Sequence, residues 1–99
     1  MNTILVFDIT GRNAISMNSG HKIYELISQS IAIDEKVNLD FEGVEIFASP
    51  FFNAGIGQLL KIVPIEQLHL ILKIQNLDDQ GKNLLSLVLT NAKEYYSKG

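Results

Sequence analysis

The order of apolar patterns along this chain predicts an α/β domain: a small, mostly parallel or mixed sheet with helices packed mainly on one face. Three observations predict it. Extended segments alternate with segments of helical period, which argues for parallel strands joined by crossover helices. Two of the extended segments keep a polar side, whereas a sheet wrapped on both faces buries both sides of its central strands. Finally, 99 residues make a single domain over 1–99, with no room for a second.

Ile4, Leu5, Val6 and Phe7 form a continuous apolar run that suits a buried strand. Thr10-Gly11-Arg12-Asn13 reads as a turn. From about Ser19 the period changes. Ile23, Leu26, Ile27, Ser30 and Ile31 fall on one helical face, with Asn18 or Ser19 as the cap. Val37, Leu39 and Phe41 then alternate with Asn38 and Asp40, the pattern of a strand with one buried face. Gly43 breaks that strand, and Val44, Ile46 and Phe47 make a shorter extended piece.

Ser49-Pro50 is a helix-start signal, with serine supplying a capping oxygen and proline losing only an amide that lacked a partner. Phe52, Ile56, Leu59 and Leu60 carry the helix to the residues before Pro64. Leu68, Leu70, Leu72 and Ile74 share one face of a further strand, opposite His69, Ile71 and Lys73. Asp78 or Asp79 caps a last helix over about 82–96, whose apolar face includes Leu84, Leu85, Val88, Leu89, Ala92, Tyr95 and Tyr96. Lys93 and Lys98 sit near its negative end.

Composition narrows the function classes. Hydrophobic residues at 46% and charged residues at 19% suit a packed globule. A net charge of -3, with eight scattered basic residues, gives no footprint for nucleic acid. The absence of cysteine removes disulfides and thiol chemistry. The apolar run at the N-terminus is too short for a signal peptide or a membrane span, so a cytoplasmic protein with no membrane partner is expected.

No reaction is written in the motifs. Asp8 and Asp40 fall at strand ends, where ligands gather in open α/β sheets, but no spacing pairs two acids in one site. His21 and His69 lie on different elements without a metal-binding spacing. The glycines form no phosphate loop, and Gly55-Ile56-Gly57 reads as close helix packing. Ser49 has no nucleophile elbow around it, although a phosphate on a serine at a helix start is well placed. No cofactor, metal or catalytic residue is expected.

VNLDFEGVEIFASPFFNAGIGQLL, residues 37–60, resembles the core of the STAS-like domain family of unknown function, relatives of the anti-sigma factor antagonists. Val37, Leu39, Asp40, Phe41, Gly43, Val44 and Ser49 match the pattern position by position, and Thr10-Gly11-Arg12 resembles the turn after the first strand. The resemblance implies a STAS-like fold and a non-enzymatic regulatory module. It also implies a partner, an ATPase of histidine-kinase type, that docks on the unphosphorylated serine at position 49. Where the antagonists read Asp-Ser-Ser/Thr-Gly, this chain has Ala48-Ser49-Pro50-Phe51.

The expected partner-binding residues are Ser49, Phe51 and Asn53, with Asp8 and Arg12 as polar rim and Ser49 as the phosphorylation site. Phe51, if exposed, is the natural anchor. A second reading is a small-ligand or nucleotide-binding domain that uses Asp8, Asp40 and the Gly11 turn. A third is a subunit that forms a homodimer through an edge strand or the open face of the sheet.

Overall fold

The structure, a computed structural model, describes residues 2–97. Its centre is a parallel three-stranded sheet in which β3 (Val37–Asp40) lies between β1 (Asn2–Leu5) and β5 (Leu72–Gln75). Registers set Ile4, Leu39 and Ile74 side by side, and Thr3, Asn38 and Lys73 one residue before them. Because side chains alternate across a strand, the first row faces the helices and the second faces out. Val37, Leu39 and Phe41 are fully buried, as their alternation predicts. On the outer face the Asn38 amide donates to Gln75 Oε1 at 2.6 Å. Ile4, Leu39 and Ile74 thus turn one face to the core, while the other carries Thr3, Leu5, Asn38 and Lys73, with Asn38 itself only 9% exposed.

Beyond the ends of β1 and β3 lies a second, two-stranded parallel sheet of β2 (Asn13–Ala14) and β4 (Ile46–Phe47). The Arg12 carbonyl accepts from the Glu45 and Ile46 amides, and the Ala14 carbonyl accepts from the Ala48 amide at 3.1 Å. The turn expected at 10–13 thus leads into a strand too short for any periodicity to announce.

The first apolar run is shorter as a strand than its composition suggests. β1 stops at Leu5, and the Val6 carbonyl then closes the short helix α1 (Phe7–Thr10) by accepting from Ile9 and Thr10. Val6 is fully buried, while Leu5 and Phe7 are 48% and 44% exposed. An edge strand on a one-sided sheet has an outer face, and Leu5 occupies it. Gly11 ends α1 at φ 67°, ψ −148°, a conformation that only glycine adopts without strain.

Helix α2 (Met17–Ala32) begins ahead of its expected start. Ser16, rather than Asn18 or Ser19, caps it by accepting from the Ser19 amide at 3.0 Å. Gly20, Ile23, Ile27 and Ser30 are its buried positions. Leu26 stays partly exposed, since the buried stripe runs one residue to its side. Helix α3 (Ser49–Gly55) starts at the Ser49-Pro50 signal but ends early, and a 3-10 turn over Gly57–Lys61 carries the chain on.

The stretch 68–71, expected as strand, is helix. Helix α4 (Ile65–Ile71) precedes β5, and Leu68 is buried while Leu70 is 74% exposed. Pro64 opens this helix and Glu66 lies in its first turn, favourable for the helix dipole. Helix α5 (Asp79–Ser97) is capped by Asp78, whose Oδ1 accepts from the Gly81 amide at 2.8 Å. Its inner face buries Leu85, Val88 and Ala92, whereas Tyr95 is 73% exposed. Lys98 lies outside the described residues.

Helices α2 and α3 meet at backbone distance at Gly20 and Gly55. A Cβ on Gly20 would collide with the Phe51 carbonyl oxygen, and one on Gly55 would lie 3.1 Å from the Gly20 carbonyl oxygen. Alanine in place of a helical glycine normally gains about 1 kcal/mol of helix propensity. Here the obstacle is backbone and cannot rotate away, so overpacking of about 1–3 kcal/mol outweighs that gain. Gly20→Ala is expected to lower the urea midpoint, with a net loss of up to about 2 kcal/mol at unchanged slope.

Asp40, at the end of β3, clasps the neighbouring strand. Its Oδ1 accepts from Asn76 Nδ2 at 2.8 Å and from the Glu42 amide at 3.0 Å. The Asn76 bond first, and the Glu42 amide second, favour the ionised form and hold the carboxyl below the usual carboxylate range. A lowered folded-state pKa means the stabilisation is complete above the unfolded value of about 3.9 and is lost as pH falls through the folded one. Asp40→Asn keeps an acceptor but no charge. Its thermal midpoint is expected to trail that of the parent at neutral pH, with the gap closing in acid below the ordinary carboxylate range.

Candidate functional site

The corner singled out by the Ser49-Pro50 signal is built from inside outward. Phe41, Phe47, Phe51 and Phe52 meet beneath it, with Phe52 stacked on Phe47 at 5.8 Å between centroids and edge-on to Phe51 at 5.4 Å. Phe51 and Phe52 are fully buried. Phe51, an anchor only on the condition of exposure, is thereby removed from the expected partner-binding residues. The first turn of α3 directs it inward, against α2, and its place is in the core.

Ser49 is not the cap of α3. Ala48 holds that position with extended dihedrals, because its amide is tied to the Ala14 carbonyl and prolongs β4 by one residue. Helical geometry starts only at Ser49, and no side chain caps the turn. Ser49, Pro50 and Asn53 consequently stand exposed on the outer side of the turn. Ile46 is 53% exposed on the strand that leads into it.

Arg12 is brought to the same corner. Its backbone binds Glu45 and Ile46, and its guanidinium reaches back to Glu45 Oε2 through Nε at 3.1 Å and Nη2 at 3.0 Å. Both side chains are mostly exposed (72% and 61%), so the pair orients the rim more than it stabilises the fold. Sequence reasoning missed Glu45 as the partner of Arg12, and Ile46 as the apolar element of the corner. Both follow from the β2–β4 pairing, which no pattern in the sequence announced.

Asp8 is exposed on α1, and none of the hydrogen bonds that build the corner involves it. Asp40 is engaged with Asn76 and Glu42 at the sheet end. The Gly11 turn is a helix terminus. These three residues, the basis of the ligand-binding reading, are not gathered around a common acceptor or donor. Among the described residues no three His, Cys, Asp or Glu side chains converge as a metal ion needs. His21 instead pairs with Glu25 one turn on, at 3.0 Å, and stacks on Tyr24. Among the same residues, no helix is long and apolar enough to cross a membrane.

Arranged this way, the corner offers a small uncharged surface on a rigid aromatic base, bordered by one ion pair.

Comparison with known proteins agrees with the fold. A model of the family described as a STAS-like domain of unknown function matches residues 19–82, from the first turns of α2 through β3, the corner and β5 to the start of α5. No curated protein and no solved structure matches the chain. With close to two thirds of its length matched, and with the parallel sheet and one-sided helices in place, the chain belongs to the family of STAS-like domains of unknown function.

Proposed function

We propose that this STAS-like chain is a non-enzymatic regulatory module of the bacterial cytoplasm that docks a protein partner on the Ser49 corner, the partner being an ATPase of histidine-kinase type. The exposure of Ser49, Pro50 and Asn53 over the buried Phe51–Phe52 pair supports this reading. A surface whose backbone is fixed from below loses little conformational freedom on binding, so more of the contact energy is kept. Ile46 contributes apolar area at the centre, and the Arg12–Glu45 pair a polar rim.

Ser49 is the switch in this scheme. Its exposed hydroxyl is open to a kinase, and a phosphate there adds a charge of about −1.5 to −2 to a surface that must shed water in order to dock. Docking and modification then exclude each other, and the partner reads the state of a single side chain.

The test is calorimetric titration of the full chain with purified histidine-kinase-type ATPases from the same cell. Ser49→Glu and Ile46→Glu are expected to weaken binding tenfold or more. Leu87→Glu, on the exposed side of α5, should leave it unchanged. Binding indifferent to both corner substitutions, or no ATPase bound at all, removes the corner from the interface.

A further inference from the structure

A second surface, separate from the Ser49 corner, lies between α5 and the α4–β5 segment. Lys82, Ser86, Leu89 and Lys93 step along α5 by four, three and four residues and so share one face of the helix. That face fronts a hollow of about 460 Å³ whose opposite wall is Ile65 and His69 of α4, Ile74 of β5 and Leu77. A deeper recess of about 140 Å³ opens beneath it, floored by Leu68, Leu72 and Leu85. Towards the end of α5 the hollow continues into another of about 400 Å³ that shares Ile65 and Lys93 and reaches Tyr96.

Together these form an open trough with an apolar floor. Its length along α5, from Lys82 to Tyr96, is about 21 Å at 1.5 Å per residue. That is too long and too open for a compact ligand, which a site normally encloses over most of its surface. It matches a helix of about four turns.

Charge selects the occupant. In a chain of net charge -3, the trough is lined by three lysines, Lys61, Lys82 and Lys93, against one carboxylate, Glu66. None of the three lysines has a salt-bridge partner among the described residues. Lys82 and Lys93 are three helical turns apart, about 16 Å, on the same side of α5. We infer that the trough seats an acidic amphipathic helix of a partner protein, with its apolar stripe on Ile74, Leu85 and Leu89 and with carboxylates about three turns apart facing Lys82 and Lys93. Helix-in-groove recognition of this kind takes its affinity from the stripe and its orientation from the flanking charges.

The experiment titrates the full chain with a labelled 15-residue amphipathic peptide carrying a leucine stripe flanked by glutamates, with its lysine-flanked counterpart, and with decanoate. Anisotropy reads affinity and backbone amide shifts read location. The acidic peptide is expected to bind, with shifts centred on Ile65, His69, Ile74, Leu85 and Leu89. Lys82→Glu and Lys93→Glu should each weaken it about three- to tenfold, and Lys93→Glu should strengthen the lysine-flanked peptide. Both lysines are exposed, and an unchanged thermal midpoint verifies that each variant is folded. The inference is overturned if neither peptide binds, if acidic and basic peptides bind alike, or if the shifts lie elsewhere. It is equally overturned if decanoate alone fills the trough, or if light scattering shows a second copy of the chain seated there.

Discussion

The four phenylalanines under the corner are the constraint on which the rest of the structure depends. Phe41 directly follows the central strand, Phe47 lies in β4, and Phe51 and Phe52 open α3, so the end of the sheet, β4 and α3 meet in one aromatic cluster. Burying side chains of this size is worth several kcal/mol in total, and their edge-on and stacked contacts add direction to the burial. The cluster fixes where α3 starts. That in turn brings Gly55 to Gly20 and lets α2 lie against α3 at backbone distance. The outward side of the same turn is left with only short side chains, a consequence of the large ones having gone inward.

Much of this was legible in the sequence where a pattern was long and unambiguous. The alternation of Val37, Leu39 and Phe41 read as a strand with one buried face, and the complete burial of all three agrees with it. The Asp78 cap and the Ser49-Pro50 helix start were readable because each is a local chemical signal, independent of the rest of the chain. Leu68 to Ile74 misled because leucines at 68, 70 and 72 satisfy a period of two, while Ile65 and Leu68 also satisfy a helical one. Pro64 and Glu66 were the overlooked signs of a helix start. β2 was invisible. Two residues carry no period, and only their pairing with β4 defines them.

The helix start at Ser49-Pro50 was legible, and the orientation of Phe51 within it was not. Phe51 could be assigned to surface or core only by knowing the rotation of α3, which follows from Ala48 being held extended by Ala14, a contact 34 residues away in sequence. The same rotation turns Phe51 into the core. The protein thus presents two surfaces of different character, an uncharged corner on an aromatic base and a basic trough along α5.

The parallel pairing has a bearing on how the chain reaches this state. Asn2 aligns with Val37 and Val37 with Leu72, so each neighbour in the sheet is 35 residues distant along the chain. No hairpin can seed the sheet. Every ladder hydrogen bond waits on closure of a loop that must also organise a helix, which places the molecule among the slower folders of its size. During synthesis the first strand emerges without a mate and acquires one only when β3 follows. A nascent chain halted before Leu72 would leave the β5-facing edge of β3 unpaired, making that interval the one in which the protein is most open to pairing with the wrong neighbour.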